Sequence, residues 1–128
     1  MSPAPREPAA PNPRRVLGQR GEALAAAWYV EAGYEILEQN WRRREGELDL
    51  ILGRGRMVIF CEVKTRTSHR FGAPVEAITR TKQQRIRALA ARWLGESELR
   101  GRTLRFDVAS VMVERGAEPV IDVLQGAF

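Results

Sequence analysis

The sequence predicts an α/β domain in which a mixed sheet carries a helix packed on each face. Two segments place apolar residues at helical spacing, five shorter runs read as strands, and their order is α-β-β-β-α-β-β. Amphipathic helices and a sheet bury their apolar faces by layering against one another, and one helix on each side of the sheet satisfies both stripes.

The elements follow in chain order. "MSPAPREPAAPNP" holds five of the seven prolines and no apolar stretch of signal-peptide type, so residues 1–15 read as a disordered tail and 16–128 as one domain. In "VLGQRGEALAAAWYVEAG", Leu17, Leu24, Ala27 and Trp28 recur at helical spacing and Gly33 is placed to end the helix. "YEILEQNWRR" reads as a short strand near an edge. "GELDLIL" and "MVIFCEVK" flank "GRGR" and read as a hairpin. A second helix is expected from Thr81, with Thr81 and Gln84 as a capping box, an apolar stripe of Ile86, Leu89, Ala90, Trp93 and Leu94, and Gly95 at its end. "LRFDVASVMV" and "PVIDVLQ" supply the last two strands.

At 128 residues the chain is long enough for one core and too short for two. A single cysteine, Cys61, excludes an internal disulfide and suits a reducing, cytoplasmic setting. With no apolar run of membrane-spanning length, no membrane partner is expected. The net charge of +5 is compatible with a polyanionic partner. Of the 21 basic residues only Lys64 and Lys82 are lysines, the other 19 being arginine. Where charge alone is needed this chain uses arginine, so the two lysines mark places that call for a compact ammonium.

The run "IFCEVKTR" then poses a problem, because a strand that starts as core ends in Glu62, Val63 and Lys64. Side chains two apart share a face, so Glu62 and Lys64 point the same way. Taken alone, the triplet is a strand emerging into solvent with a surface ion pair. The hairpin changes that reading. Opposed residues of an antiparallel pair have positions that add to a constant, and "GRGR" admits 109, 110 or 111. Either odd sum puts Glu47, Asp49, Glu62 and Lys64 on one face, with Leu48, Leu50, Leu52, Ile59, Cys61 and Val63 on the other. The even sum splits the charged set. In the odd registers two or three carboxylates lie with Cβ atoms roughly 5–8 Å apart. Acids so close raise one another's pKa unless a cation lies among them, and one lysine cannot neutralise three. A hard divalent cation bound through one or two carboxylates fits the arrangement. A lysine beside it can orient or deprotonate water, or steady charge on a phosphate oxygen.

Asp49, thirteen positions before Glu62-Val63-Lys64 and across a hairpin, resembles the PD-(D/E)xK nuclease pattern. More closely, "GQRGEALAAAWYVEAGYEILEQNWRRREGELDLI", "FCEVKTR", "GAPVEAITRTKQQRI" and "RFDV" are similar in order and spacing to the YraN family of small bacterial proteins, related to archaeal Holliday junction resolvases. The resemblance runs from about Val16 to Phe128. It implies a restriction-endonuclease-like αβββαβ core with a mixed central sheet. It also implies metal ligation of Mg²⁺ or Mn²⁺ by Asp49, Glu62 and the Val63 carbonyl, with Glu22 nearby, and catalysis by Lys64 with Glu62 and Asp49. The motif's proline is absent, Leu48 standing before Asp49. Glu47 receives no firm role, either facing solvent or helping the metal site.

Other residues carry weaker signals. Glu22 alone reads as a solvated helix residue, though Gly18, Ala25 and Ala26 give its helix a small-residue face that a sheet end could approach. Lys82 lies in the first turn of the second helix, where the macrodipole disfavours a cation. A phosphate bound there would explain it, with Gln83 beside it. Arg66 and Arg70, in "TRTSHRFGAP", are placed to touch a nucleic-acid backbone. His69 has no partner for a zinc site. Trp28, Trp41 and Trp93 read as core or partly buried, and Asp107 as a structural carboxylate or a support for the site.

Together these expectations describe a metal-dependent endonuclease acting on DNA phosphodiesters, branched or flapped DNA included, with RNA left open and a homodimer expected by analogy. The other reading is a nucleic-acid binding module that keeps the fold without cleaving.

Overall fold

A computed structural model describes residues 11–67 and 78–128. It contains α1 (Pro13–Glu31), β1 (Glu35–Arg43), β2 (Gly46–Arg54), β3 (Met57–Arg66), α2 (Arg80–Ser97), β4 (Thr103–Met112) and β5 (Val120–Leu124). The five strands form one sheet in the order β1-β2-β3-β4-β5. Pairing is antiparallel except between β3 and β4, whose parallel register runs from Met57↔Thr103 to Arg66↔Met112. A parallel pair requires a crossover, and α2 supplies it. The domain is therefore the mixed-sheet α/β architecture expected, with the αβββαβ order of a restriction-endonuclease-like core.

Local chemistry sets the boundaries. The Asn12 side chain accepts a hydrogen bond from the Arg14 amide at 3.0 Å, and Pro13 occupies the first helical position. Helix α1 thus begins three residues before the expected Val16. It ends at Ala32, with Gly33 beyond it at φ +95°, a conformation glycine adopts without strain. The cap of α2 differs from expectation. Thr79, not Thr81, accepts from the Lys82 amide, and the helix passes Gly95 to end at a left-handed Glu98. The hairpin turns through Gly55 and Arg56, and Gly55 takes the positive φ of +58°.

Each helix covers one face of the sheet. Under α1 lie Leu50, Leu52, Ile59, Cys61, Ala109 and Val111, and under α2 lie Ile51, Val58, Phe60 and Phe106. The α2 stripe is the expected one, with Ile86, Leu89, Ala90 and Trp93 buried and Leu94 partly so. The α1 face is rotated from expectation. Its buried centre is Gly21, Ala25, Ala26 and Tyr29, with Leu17, Leu24 and Trp28 flanking it and Ala27 exposed. Trp41 and Trp93 are core residues packed with α2.

Two contacts fix α1 on the sheet. Asp107, wholly buried in β4, accepts hydrogen bonds from the Tyr29 hydroxyl at 2.7 Å and the Gly126 amide at 3.0 Å. The Arg105 guanidinium holds both its oxygens at 2.9 Å. Asp107 is thus a structural carboxylate whose lone pairs are spent on α1, β4 and the C-terminal segment, as a buried charge requires. The second contact is steric. A Cβ built on Gly21 would lie 1.8 Å from Thr65 Oγ1, so α1 rests on β3 where only glycine fits.

Gly21→Ala is expected to lower unfolding free energy by about 2–3 kcal/mol in urea denaturation, as overpacking a closed contact does. Adding Thr65→Ala should restore part of the loss, since the two nearest clashing atoms are then gone. Equal stability of Gly21→Ala and wild type would mean that the helix rides higher on β3.

Candidate metal centre

The β2–β3 register decides which charged residues meet. Pairs run from Leu50↔Cys61 to Arg54↔Met57, so opposed positions add to 111, and the same sum carried one step past Leu50↔Cys61 matches Asp49 with Glu62. Glu47, Asp49 and Glu62 line one cavity of about 210 Å³ with Lys82 and Arg85 of α2. It opens at the end of the hairpin away from the turn.

The expected apolar face holds for Leu50, Leu52, Ile59, Cys61 and Val63 but not for Leu48, which packs with Trp41 on the α2 side. The reason lies opposite Asp49. Asn40 falls between the pairs Gln39↔Leu50 and Trp41↔Leu48 and has φ +50°. A left-handed residue turns the chain out of its pleat, and Asn tolerates that conformation better than most. Alternation therefore breaks at the site itself. Asn40 also hydrogen-bonds Glu22 from α1.

Glu22, Glu47 and Asp49 bring one carboxylate oxygen each to within 4.8 Å of one another. Asp49 also accepts a hydrogen bond from the Val63 amide at 2.9 Å. Burial, the Glu62 charge, and Glu22 and Glu47 push the Asp49 carboxyl up to about 8, against the pull of the Val63 amide. Burial raises Glu22 as well. There Glu47 and Glu62 add to the effect, while Asn40 and Arg42 oppose it. Arg42 reaches Glu47 at 3.4 Å. A cation among them would relieve the repulsion that raises Asp49 and Glu22, and the all-oxygen character of the set suits a hard divalent ion. The acidic cluster could hold a metal ion.

Glu62 is held differently. Its Oε1 takes the Lys82 ammonium at 3.1 Å and the Lys64 ammonium at 3.5 Å. Burial and the neighbouring Lys82 lower the Lys64 pKa, with Glu62 acting the other way. Burial works against the charge on Lys82 too, but contacts with Lys64, Glu62 and Asp49 outweigh it and raise that pKa. The two lysines share one acid and differ in their hold on the proton.

The structure thus brings together Glu22, Asp49, Glu62, Lys64 and Lys82 from the residues expected at the site, with Val63 present through its amide. Glu47, left without a firm role in the sequence, completes the acidic triad, and its parity with Asp49 was the signal. Gln83 donates instead to the Ile78 carbonyl at 3.1 Å. Arg66 ends β3, its carbonyl accepting from the Val113 amide at 2.8 Å. Arg70 and His69 lie outside the described residues.

An α/β domain with an acid-and-lysine cluster at the open end of its hairpin is the class that fold and site define. A family profile described as "Uncharacterised protein family UPF0102" matches residues 21–111. A UPF0102 protein of Rhodococcus opacus is 48% identical over 112 residues, covering 88% of this chain and 95% of the relative. One from Nocardia farcinica is 50% identical over 115 residues, covering 90% and 91%. One from Moorella thermoacetica is 45% identical over 116 residues, covering 90% and 97%. The chain belongs to the UPF0102 family, the YraN family that its motifs resemble.

The raised carboxyl has a consequence for stability. Between the ordinary aspartate pKa near 4 and about 8, the folded protein binds a proton at Asp49 that the unfolded chain releases. The stabilisation is fully present below about 4 and lost as pH rises through 8, by at most about 1.4 kcal/mol per pH unit. In EDTA, urea unfolding should show wild-type stability falling across this window. Asp49→Asn, which can still accept from Val63, should flatten the profile and be more stable at pH 8 by roughly 2–4 kcal/mol. A flat wild-type profile would show the group already ionised.

Proposed function

We propose that this protein is a metal-dependent nuclease that hydrolyses DNA phosphodiester bonds. One observation carries the reading. A three-carboxylate cluster and a lysine of lowered pKa meet at the open end of a β-hairpin in an αβββαβ domain. An ion such as Mg²⁺ or Mn²⁺ would supply positive charge for a phosphate oxygen and acidity for an attacking water.

The chain's own residues supply the rest. Glu22, Glu47 and Asp49 would hold the ion, with the Val63 amide fixing the orientation of Asp49. Both ammoniums bind Glu62 through Oε1, and Glu62 would extend the ligand set through its other oxygen. The lowered pKa makes Lys64 a readier acceptor of a proton from the attacking water, and its ammonium would then face the charge developing on phosphate. Lys82 favours that sequence by keeping its own proton and disfavouring a second charge beside it.

The test is a cleavage assay on duplex, flap, four-way junction and single-stranded DNA with Mg²⁺ or Mn²⁺. Asp49→Asn and Lys64→Ala should each lower the rate by at least about 100-fold, the effect of losing one transition-state donor. Lys64→Arg should lose nearly as much despite its conserved charge, because a guanidinium is bulky, forked and not deprotonated. An arginine variant as fast as wild type would reduce Lys64 to a counter-charge. Salt-dependent DNA binding with no cleavage of any substrate would make the protein a binding module.

A further inference from the structure

Helix α1 separates two open cavities of about 410 Å³ each, and both are lined by Gly18 and Glu22. Arg14 and Lys64 line one, and Arg15 and Arg42 line the other. Arg14 and Arg15 are exposed and form no ion pair among the described residues. They also stand in the first turn of α1, which contains no acid and whose dipole disfavours cations. Neither helix stability nor ion pairing accounts for them.

Gly18 is equally unexplained by the protein's own packing. A glycine inside a helix is less favourable than alanine, and it is kept where chain or ligand must come close. Gly21 has such a reason in Thr65, whereas a Cβ on Gly18 would meet nothing within 4 Å. Gly95 is similarly open but sits in the last turn of α2, where the helix is ending. Gly18 follows Arg14 by four residues and Arg15 by three, and precedes Glu22 by four, so the four share one side of the helix. They form a path from two cations, over a bare stretch of backbone, to the acidic cluster.

We propose that one sugar-phosphate strand of DNA crosses α1 over Gly18, with a phosphate beside Arg14 and Lys64 on one side and another beside Arg15 and Arg42 on the other. The strand is then delivered to Glu22 between them, and the bare backbone of Gly18 lets it pass low. This deepens the nuclease reading and rests on it. It also places the footprint on the start of α1.

The test measures fluorescence anisotropy of a labelled DNA duplex and a labelled single strand in EDTA, where cleavage cannot contribute. Arg14→Ala with Arg15→Ala should weaken binding at least 10-fold and reduce the slope of log affinity against log salt by about one per arginine. Gly18→Met should weaken binding at least 10-fold while raising the melting temperature, because methionine is the better helix former. Loss of affinity in a more stable protein cannot be misfolding. Arg102→Ala, at the hairpin-turn end where it bonds the Gly55 carbonyl, should bind as wild type. Wild-type affinity and salt slope in the Gly18 and double-arginine variants would overturn the track, even if Mg²⁺-dependent cleavage is found. Weakened binding in a protein that never cleaves would leave the track standing and remove hydrolysis.

Discussion

The close approach of Gly21 to Thr65 is the contact on which the site depends. Glu22 follows that glycine and Lys64 precedes that threonine, so one backbone-to-side-chain contact sets the distance between a helix acid and the strand lysine. Tyr29, two turns along α1, anchors the same helix through Asp107. A rod held at two points can neither slide nor roll, and Glu22 is thereby fixed over the end of β2. Without the steric contact, an exposed glutamate on a helix would have no reason to stay beside two other carboxylates.

Electrostatics work against this assembly, and the fold manages the conflict by division. Glu22, Glu47 and Asp49 gather on the side of α1 and β2 with Arg42 at their rim. Glu62 is instead drawn toward α2 by Lys82. Had Glu62 joined the triad without its lysines, four acids would share one small space with one amide for compensation. The split limits the repulsion that raises Asp49 and Glu22 while keeping the triad's oxygens convergent.

Periodicity made most of the fold legible. The apolar stripe of α2 was readable because four large side chains, with Ala90 among them, repeat at helical spacing along it. The face of α1 was misread by a third of a turn, because the residues packed there are Gly21, Ala25 and Ala26. Small residues carry little hydrophobic signal, so Ala25 and Ala26 were visible as a face a sheet end could approach but not as the centre of the packing. The hairpin arithmetic narrowed the register to two choices that both aligned the acids, and a two-residue turn at Gly55 and Arg56 selected 111. Parity failed at Leu48, because nothing in "LEQNWRR" announces that Asn40 adopts a left-handed conformation within a strand. Glu47 was visible by parity but had no firm role until Glu22 arrived from another element.

The scarcity of lysine gains a physical meaning from Glu62. A chain with nineteen arginines directs both of its lysines to one carboxylate oxygen. Two guanidiniums would meet there less readily, since each is a bulky planar fork and neither gives up its proton. Two ammoniums can meet on one oxygen as compact donors, and their proximity forces a difference between them. The one nearer Glu62 holds its proton more firmly and the other loosens. The residue that loosens is Lys64, on the strand beside the acidic cluster, whereas Lys82 stands on the first turn of α2 as its electrostatic counterweight. Substituting arginine at either position would preserve net charge and remove the asymmetry, so composition and chemistry point to the same pair.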